Sequence, residues 1–272
     1  TQVHTRLKPD VEDAIIPSYQ HIRFLGVDTT AGSAGNKSKK KDEAKADDNL
    51  PLDDTEFFSI ANSDVAAAIA NEVALKQRPE LAWLEYEKIP TPMLGDEGAG
   101  GIRQVGRFMM MDKSFEFMNR VQEEIKKAKE GLSSPKVNVH IFAGLSGGTG
   151  SGCFLDVCYM IRSIAKSLGG VTMFGYFFMP DVNLSVVPIE ATGTHDYIPK
   201  NGYAAMQELD YCMRLEKNGG GFTQEYQGHK MIPWNTAPVD MCHLICATDS
   251  NGNVIPNAYD YAMNVTAEYI MD

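Results

Sequence analysis

A glycine-rich segment in the middle of the chain constrains its fold more than any other feature. Residues 144–152 read GLSGGTGSG and directly follow the apolar run 137–143, VNVHIFA, which predicts a strand. A helical pattern of apolar residues begins near Ser151. Because glycine has no Cβ, an anion can approach the backbone N–H groups closely, and the helix N-terminus attracts negative charge. The segment therefore predicts an anion-binding loop between a strand and a helix.

Strand and helix patterns alternate along most of the chain. Further apolar runs predict strands at residues 21–27, 171–178 and 241–247. Apolar residues at helical spacing predict helices at residues 62–75, 115–131, 151–168 and 201–217, and from residue 257 onward. We expect residues 179–200 to form a loop. The alternation predicts an α/β fold, a Rossmann-like, doubly wound and mainly parallel sheet with helices on both faces.

Ligands of such sheets bind beyond the carboxyl ends of the strands. Small and polar residues follow a predicted strand or precede a predicted helix at several places, namely Asp28, residues 98–101, residues 144–152, Asp181 and residues 249–251. We expect these segments to lie at one edge of the sheet.

The composition excludes some classes of function. A formal net charge of −11 disfavours broad binding to nucleic acid or to acidic membranes, so nucleic acid is expected as an indirect partner at most. No apolar run approaches the roughly 20 residues that span a bilayer.

The cysteines indicate a reducing compartment. Their number is odd, five, and most fall in apolar patterns, which predicts buried free thiols and a cytoplasmic protein. Cys242, His243 and Cys246 lack a second pair of ligands nearby, so we expect no metal-ligating residues among them.

Two other features concern the domain organisation. Residues 31–54 are small, charged and poor in large apolar groups, which predicts a mobile loop. The chain begins and ends inside helical patterns, so we expect it to be a fragment of a larger protein.

Two common phosphate-loop designs fit residues 144–152 poorly. A Walker A loop needs a lysine that reaches the phosphates, and no lysine follows Gly150 or Gly152. A dinucleotide fingerprint belongs at the first strand and needs an acidic residue about 20 positions on, whereas the residues near Val171 are apolar.

A third design fits. Residues 144–152 resemble the phosphate-binding signature G-G-G-T-G-[ST]-G of the tubulin/FtsZ superfamily, with Ser146 in place of the first glycine. Residues 98–107, GAGGIRQVGR, resemble its γ-phosphate loop G-A-G-x-x-P-x-x-G-R without the proline, and residues 28–30 are similar to its N-T-D. The likeness extends from about residue 21 to residue 272. It is closest to divergent bacterial tubulin-like proteins because of residues 178–181, FMPD, and 204–210, AAMQELD.

The resemblance implies a site for GTP or GDP with Mg²⁺. It assigns the α- and β-phosphates to Gly144, Ser146, Gly147, Gly148, Thr149, Gly150 and Ser151, and the γ-phosphate to Gly98, Ala99, Gly100 and Gly101. Asp28 is also assigned to the nucleotide site, because it lies in the segment that is similar to N-T-D. The ribose contact falls to Asp181, with Asn183 and Glu190 as alternatives. The residues expected to contact guanine are Asn251, with Asp249 as the alternative, together with Tyr261 and Asn264. Core packing explains Tyr261 equally well.

The resemblance also implies how the protein works. Residues 1–256 would form the nucleotide-binding domain, and residues 257–272 would begin the central helix that leads to a second domain. Such proteins assemble head-to-tail, and the catalytic acid comes from the next subunit, so no catalytic residue is assigned here. The alternatives are a non-hydrolysing tubulin-like scaffold and, less favoured, a dinucleotide-dependent enzyme.

Overall fold

The computed structural model describes residues 21–29, 52–62, 64–90, 98–133 and 135–271. Most of the predicted loop at 31–54 lies outside these residues. The strands are β1 (Gly26–Asp28), β2 (Phe57–Ser59), β3 (Asn138–Gly144), β4 (Thr172–Phe178), β5 (Phe222–Tyr226), β6 (Lys230–Trp234) and β7 (Met241–Ile245). The helices are α1 (Val65–Ala70), α2 (Glu72–Lys76), α3 (Arg103–Asp112), α4 (Ser114–Lys129), α5 (Thr149–Ser167), α6 (Pro180–Leu184), α7 (Thr192–Met213), α8 (Leu215–Asn218) and α9 (Ala258–Met271).

A parallel sheet of order β3-β4-β7 forms the centre. Gly144 at the end of β3 lies opposite Phe178 of β4, and Phe178 lies opposite Ile245 of β7. The carboxyl ends of the three strands therefore share one edge. β1 and β2 form a second parallel pair, with Asp28 opposite Ser59.

Helices cover both faces of the central sheet. On one face, the ring of Phe154 from α5 meets the ring of Phe177 from β4 edge-on, with 5.2 Å between the centroids. On the other face, Tyr269 of α9 packs against the rings of Tyr176 and His243. This confirms the predicted α/β class and the parallel, doubly wound arrangement.

The core centres on α5. This helix buries seven large apolar or sulfur-bearing side chains, Cys153, Phe154, Leu155, Cys158, Tyr159, Met160 and Ile161. It packs against α3, α4, α7 and the strands β3 and β6. Because of this burial, α5 joins the strands β3 and β6 to the helices α3, α4 and α7.

The cysteines are all free, as predicted. Cys153, Cys158 and Cys212 are buried, and burial raises the pKa of the Cys153 thiol to about 12. Cys246 is exposed at the end of β7. In the described part of the chain, no helix is both long and apolar enough to cross a membrane.

Several predicted boundaries were wrong. Residues 179–200 are not a loop, because they contain α6 and the first half of α7. The buried residues Ile198, Ala205 and Leu209 follow helical spacing, but Gly193 and Pro199 hide that pattern in the sequence.

The first part of the chain also differs from prediction. The strand expected at 21–27 is the short β1, and the helix expected at 62–75 is two helices that break at Asn71. The Asn71 side chain accepts a hydrogen bond from Ala74 N at 3.1 Å and so starts α2.

Besides the short strand β2, two further parts of the fold were not predicted. One is α3, which follows the glycines at 98–101. The other is the antiparallel hairpin of β5 and β6, whose turn places Gly228 and His229 at positive φ.

Candidate functional site

The two glycine-rich segments lie against each other at the carboxyl edge of the sheet. The first, residues 98–101, leads into α3, and the second, residues 144–152, leads from β3 into α5. A Cβ placed on Gly148 would lie 2.7 Å from the Ala99 Cβ and 3.0 Å from Ile102 N. The predicted loops for the γ-phosphate and for the other phosphates are therefore brought together.

The helices behind these loops cross at glycine positions. A Cβ on Gly106 of α3 would fall on the carbonyl oxygen of Gly148, and one on Gly152 of α5 would fall on the carbonyl oxygen of Arg103. No side chain fits at either position. Glycine at 106, 148 and 152 thus lets the two backbones touch and brings the two loops close together.

The second loop carries the features of an anion site. Its Gly148 is the N-cap of α5 and supplies no capping side chain, and the first N–H groups of a helix have no partner within it. The Ser146 side chain is fully buried, and its Oγ has no hydrogen-bond partner among the described residues. A buried hydroxyl without a partner is costly, so its presence indicates a polar ligand or water that completes the site.

The Asp28 segment reaches the same loop. The Thr29 and Thr149 hydroxyls lie 2.7 Å apart, and Thr29 N donates to the Asp28 carboxylate at 2.6 Å. The structure therefore joins the end of β1 to the start of α5. The Ser151 hydroxyl accepts a hydrogen bond from Arg103 Nε at 2.8 Å, which joins this loop to the start of α3.

Helix α7 supplies side chains that sequence reasoning missed. The Asn201 side-chain nitrogen, Nδ2, donates to Gly101 O at 2.8 Å and to Ser146 O at 2.9 Å. The Tyr197 ring lies against Gly101, and Glu208 forms an ion pair with Arg103. Asn201 and Glu208 are seven residues apart and so share a helix face, which was the available sequence signal.

A buried ion pair joins α3 and α5 further along the two helices. The Asp156 carboxylate accepts from Arg107 Nε at 2.8 Å and from Nη2 at 3.1 Å, and the Tyr226 hydroxyl donates to it at 3.0 Å. The Arg107 guanidinium also lies over the Trp83 ring, 4.2 Å from its centroid. Burial lowers the pKa of Arg107, but the Asp156 carboxylate more than offsets this and raises it overall.

The predicted ribose contact, Asp181, lies in the first turn of α6, next to the end of β7. Its carboxylate accepts a hydrogen bond from Ala247 N at 2.8 Å. Of the alternatives, the Asn183 side chain lies close to Gly144, whereas Glu190 is exposed. Asp181 thus ties the start of α6 to the loop after β7.

The loop after β7 is built by Asp249. Its carboxylate accepts hydrogen bonds from the Asn253 side chain at 3.1 Å and from the backbone N–H groups of Asn253 at 2.9 Å and Asn251 at 2.8 Å. These hydrogen bonds lower the pKa of Asp249, and the one from the Asn253 side chain contributes most. Asn251 itself is exposed. The Asp249 side chain is therefore engaged within the loop, and Asn251 is the one presented to solvent.

Tyr261 and Asn264 lie on α9, which contacts α6. Tyr261 is 48% exposed and Asn264 is partly buried. Core packing therefore does not account for Tyr261. The structure brings α9 and the Asp181 helix together, with Asn251 on the loop between β7 and α9.

The described residues contain no group of three or more His, Cys, Asp or Glu side chains that could hold a metal ion. Oxygen atoms next to the phosphate loop that could bind a cation include the Asp28 carboxylate and the hydroxyls of Thr29 and Thr149. Mg²⁺ prefers such hard donors and is commonly held by one or two carboxylates together with phosphates. This donor set fits an ion that is bound mainly through a nucleotide.

Comparison with known proteins agrees with this geometry. A family model described as tubulin like matches residues 1–272. No curated protein and no solved structure matches the chain significantly. Since the match covers the whole chain, and its two glycine loops meet at the carboxyl edge of a parallel sheet, the chain belongs to the tubulin-like family.

Proposed function

We propose that this chain is the guanine-nucleotide-binding domain of a bacterial tubulin-like protein that polymerises head-to-tail in the cytoplasm. In this proposal, residues 1–256 form the nucleotide-binding domain, and residues 257–272 begin the central helix of such proteins. Head-to-tail contacts of this type give open polymers when the rotation does not close.

The contact between the two glycine loops carries the proposal. It brings together the uncapped start of α5, the unpartnered buried hydroxyl of Ser146 and the close packing of Gly148 against Ala99. Together these supply N–H donors and a hydroxyl for a chain of phosphates without a lysine. The net charge of −11 is compatible, since the attraction is local to the loops.

The segments at the other end of the site support a guanine nucleotide. The exposed Asn251 side chain can accept from or donate to a base edge, and the exposed Tyr261 ring offers a surface for stacking. An acceptor that faces the ring N–H and amino group of guanine would disfavour adenine.

Hydrolysis requires little chemistry from this chain. Its residues position the phosphates, and Asp28 with Thr149 would hold Mg²⁺, which neutralises phosphate charge when bound. The acid that orients water comes from the next subunit, so the chain alone binds nucleotide but turns it over slowly. A chain that binds but never hydrolyses, even when assembled, would be the scaffold alternative.

The first test identifies the nucleotide. Protein purified under native conditions is denatured, and the released small molecules are identified by mass analysis. We expect GDP or GTP. Release of NAD or FAD, or of no nucleotide together with no binding of added GTP or GDP in calorimetry, would overturn the proposal.

A matched pair of variants locates the site. Thr149→Val removes the hydroxyl at the start of α5 and should weaken GDP binding about tenfold, roughly the value of one hydrogen bond to a charged group. Thr172→Val, on the exposed start of β4, should leave it unchanged. Rapid phosphate release by the isolated chain that Thr149→Ala abolishes would contradict the assignment of the catalytic acid to a neighbour.

A further inference from the structure

Asn201 is the one side chain of α7 that bonds to both glycine loops in the described structure. Its Nδ2 donates to Gly101 O at 2.8 Å, to Ser146 O at 2.9 Å and, more weakly, to Gly147 O at 3.4 Å. Gly101 belongs to the first loop, and the other two acceptors belong to the second. A single amide group therefore spans the junction between them.

The chemistry of the acceptors fixes the orientation of this amide. All three are backbone carbonyl oxygens, so only the NH₂ side of Asn201 can face them. The neighbouring Tyr197 ring lies against Gly101, which has a φ of 78°. Since Tyr197 precedes Asn201 by one helical turn, the same face of α7 covers the first loop and ties it to the second.

The other faces of α7 make no such contacts. Tyr203, six positions after Tyr197, is 67% exposed, and the Gln207 amide donates to the Tyr203 hydroxyl at 2.9 Å. Glu208 lies on the face of α7 that is turned toward the loops. It forms an ion pair with Arg103, whose guanidinium donates to Ser151. α7 thus has an inner face that braces the loops and an outer face that is open to solvent.

We infer that Asn201 is a positioning residue that sets the separation of the two loops and thereby the preference for a nucleoside triphosphate over a diphosphate. This inference rests on the proposed function, in which residues 144–152 hold two phosphates and residues 98–101 meet the third. A diphosphate needs the second loop alone, whereas a triphosphate needs both loops at the correct distance. Loops that are held in place before binding lose less entropy when the longer ligand binds.

The substitution Asn201→Asp tests this inference with almost no change of shape. It places a carboxylate against three carbonyl oxygens, and the repulsion separates the loops. Asn201→Ala removes the donor without adding charge and favours the helix slightly, so it guards against a variant that fails to fold. Gln207→Glu is the matched control, because it makes the same amide-to-acid change on the outer face of α7.

Calorimetry with Mg²⁺ measures the affinity of each full-length chain for GDP and for a non-hydrolysable GTP analogue. We expect Asn201→Asp to weaken the analogue about tenfold more than GDP, and Asn201→Ala to change the ratio in the same direction by less. Gln207→Glu should leave the ratio unchanged.

Two results would overturn the inference. One is an equal loss of affinity for both nucleotides, which indicates a purely structural role for Asn201. The other is wild-type affinity for both in Asn201→Asp. A wild-type chain that binds neither nucleotide refutes the proposed function instead, so the two failures are distinguishable.

Discussion

The two ends of the candidate site are built in different ways. The phosphate end, formed by residues 98–101 and 144–152, is held by backbone contacts between α3 and α5 and by side chains from α7. The base end, formed by Asp181, residues 249–251, Tyr261 and Asn264, is held by hydrogen bonds within one loop and by a contact between two helices. Most residues of the phosphate end are buried or partly buried, whereas Asp249, Asn251 and Tyr261 of the base end are exposed.

This difference follows from what each end has to recognise. A phosphate chain is bound by backbone N–H groups, and the N-terminus of a helix supplies these groups whatever its side chains are. A base is distinguished by side-chain donors and acceptors, which must be exposed to reach it. We therefore expect damage at the phosphate end to reduce stability and binding together, and damage at the base end to reduce binding alone.

The largest expected effect concerns the ion pair behind the phosphate end. Asp156→Asn leaves the Arg107 guanidinium without a counter-ion in a site where Asp156 is 1% exposed, and should lower the free energy of unfolding by about 3 kcal/mol. Chemical denaturation followed by circular dichroism measures this.

Asp196→Asn is the control for that variant. It breaks the pair of Asp196 and Lys200 on α7, in which both side chains are about 70% exposed, and should change stability by less than about 0.5 kcal/mol. Equal effects of the two substitutions would show that the Asp156 pair does not brace the helices.

A smaller effect is expected where α3 and α5 cross. Gly106→Ala places a methyl group on the Gly148 carbonyl oxygen and should cost about 1–3 kcal/mol, even though alanine favours helices. Gly193→Ala in α7 meets no atom within 4 Å and should stabilise the chain by up to about 1 kcal/mol. Thermal unfolding of both variants distinguishes them, and a stable Gly106→Ala would mean that the crossing is looser than the structure has it.

The sequence predicted the parts of the fold that have a simple period. The apolar runs at 137–143, 171–178 and 241–247 match β3, β4 and β7 closely, and the helix after the glycine loop begins within two residues of Ser151. Buried parallel strands and an amphipathic helix behind them leave a local pattern. The glycine loops were found for the same reason, because their composition is itself the signal.

The parts that were missed depend on distant contacts. The first part of α7, up to residue 200, was predicted as a loop, since Pro199 interrupts the helical pattern. The bonds from Asn201 to Gly101 and Ser146 span 100 and 55 positions of the chain. Likewise, the β5–β6 hairpin is positioned by Tyr226 and Trp234, whose partners are Asp156 and Tyr159 in α5. No local rule connects such positions.

The smallest expected effect on stability is at the base end. Tyr261→Ala removes a ring that is 48% exposed, so the unfolding midpoint should stay near that of the wild type, whereas GDP affinity should fall about tenfold through lost stacking on the base. Tyr259→Ala, on a different face of α9 and 38% exposed, is the control and should leave GDP affinity unchanged.

The affinity for inorganic pyrophosphate, measured on the same variants, distinguishes the contributions of the two ends of the site. Pyrophosphate contacts only the phosphate end, so Tyr261→Ala should bind it as the wild type does, while Gly106→Ala should lose affinity for both pyrophosphate and GDP. If Tyr261→Ala weakens pyrophosphate as much as GDP, α9 supports the glycine loops and is not a base-binding element. The division of the site into a phosphate end held by the fold and an exposed base end would then be wrong.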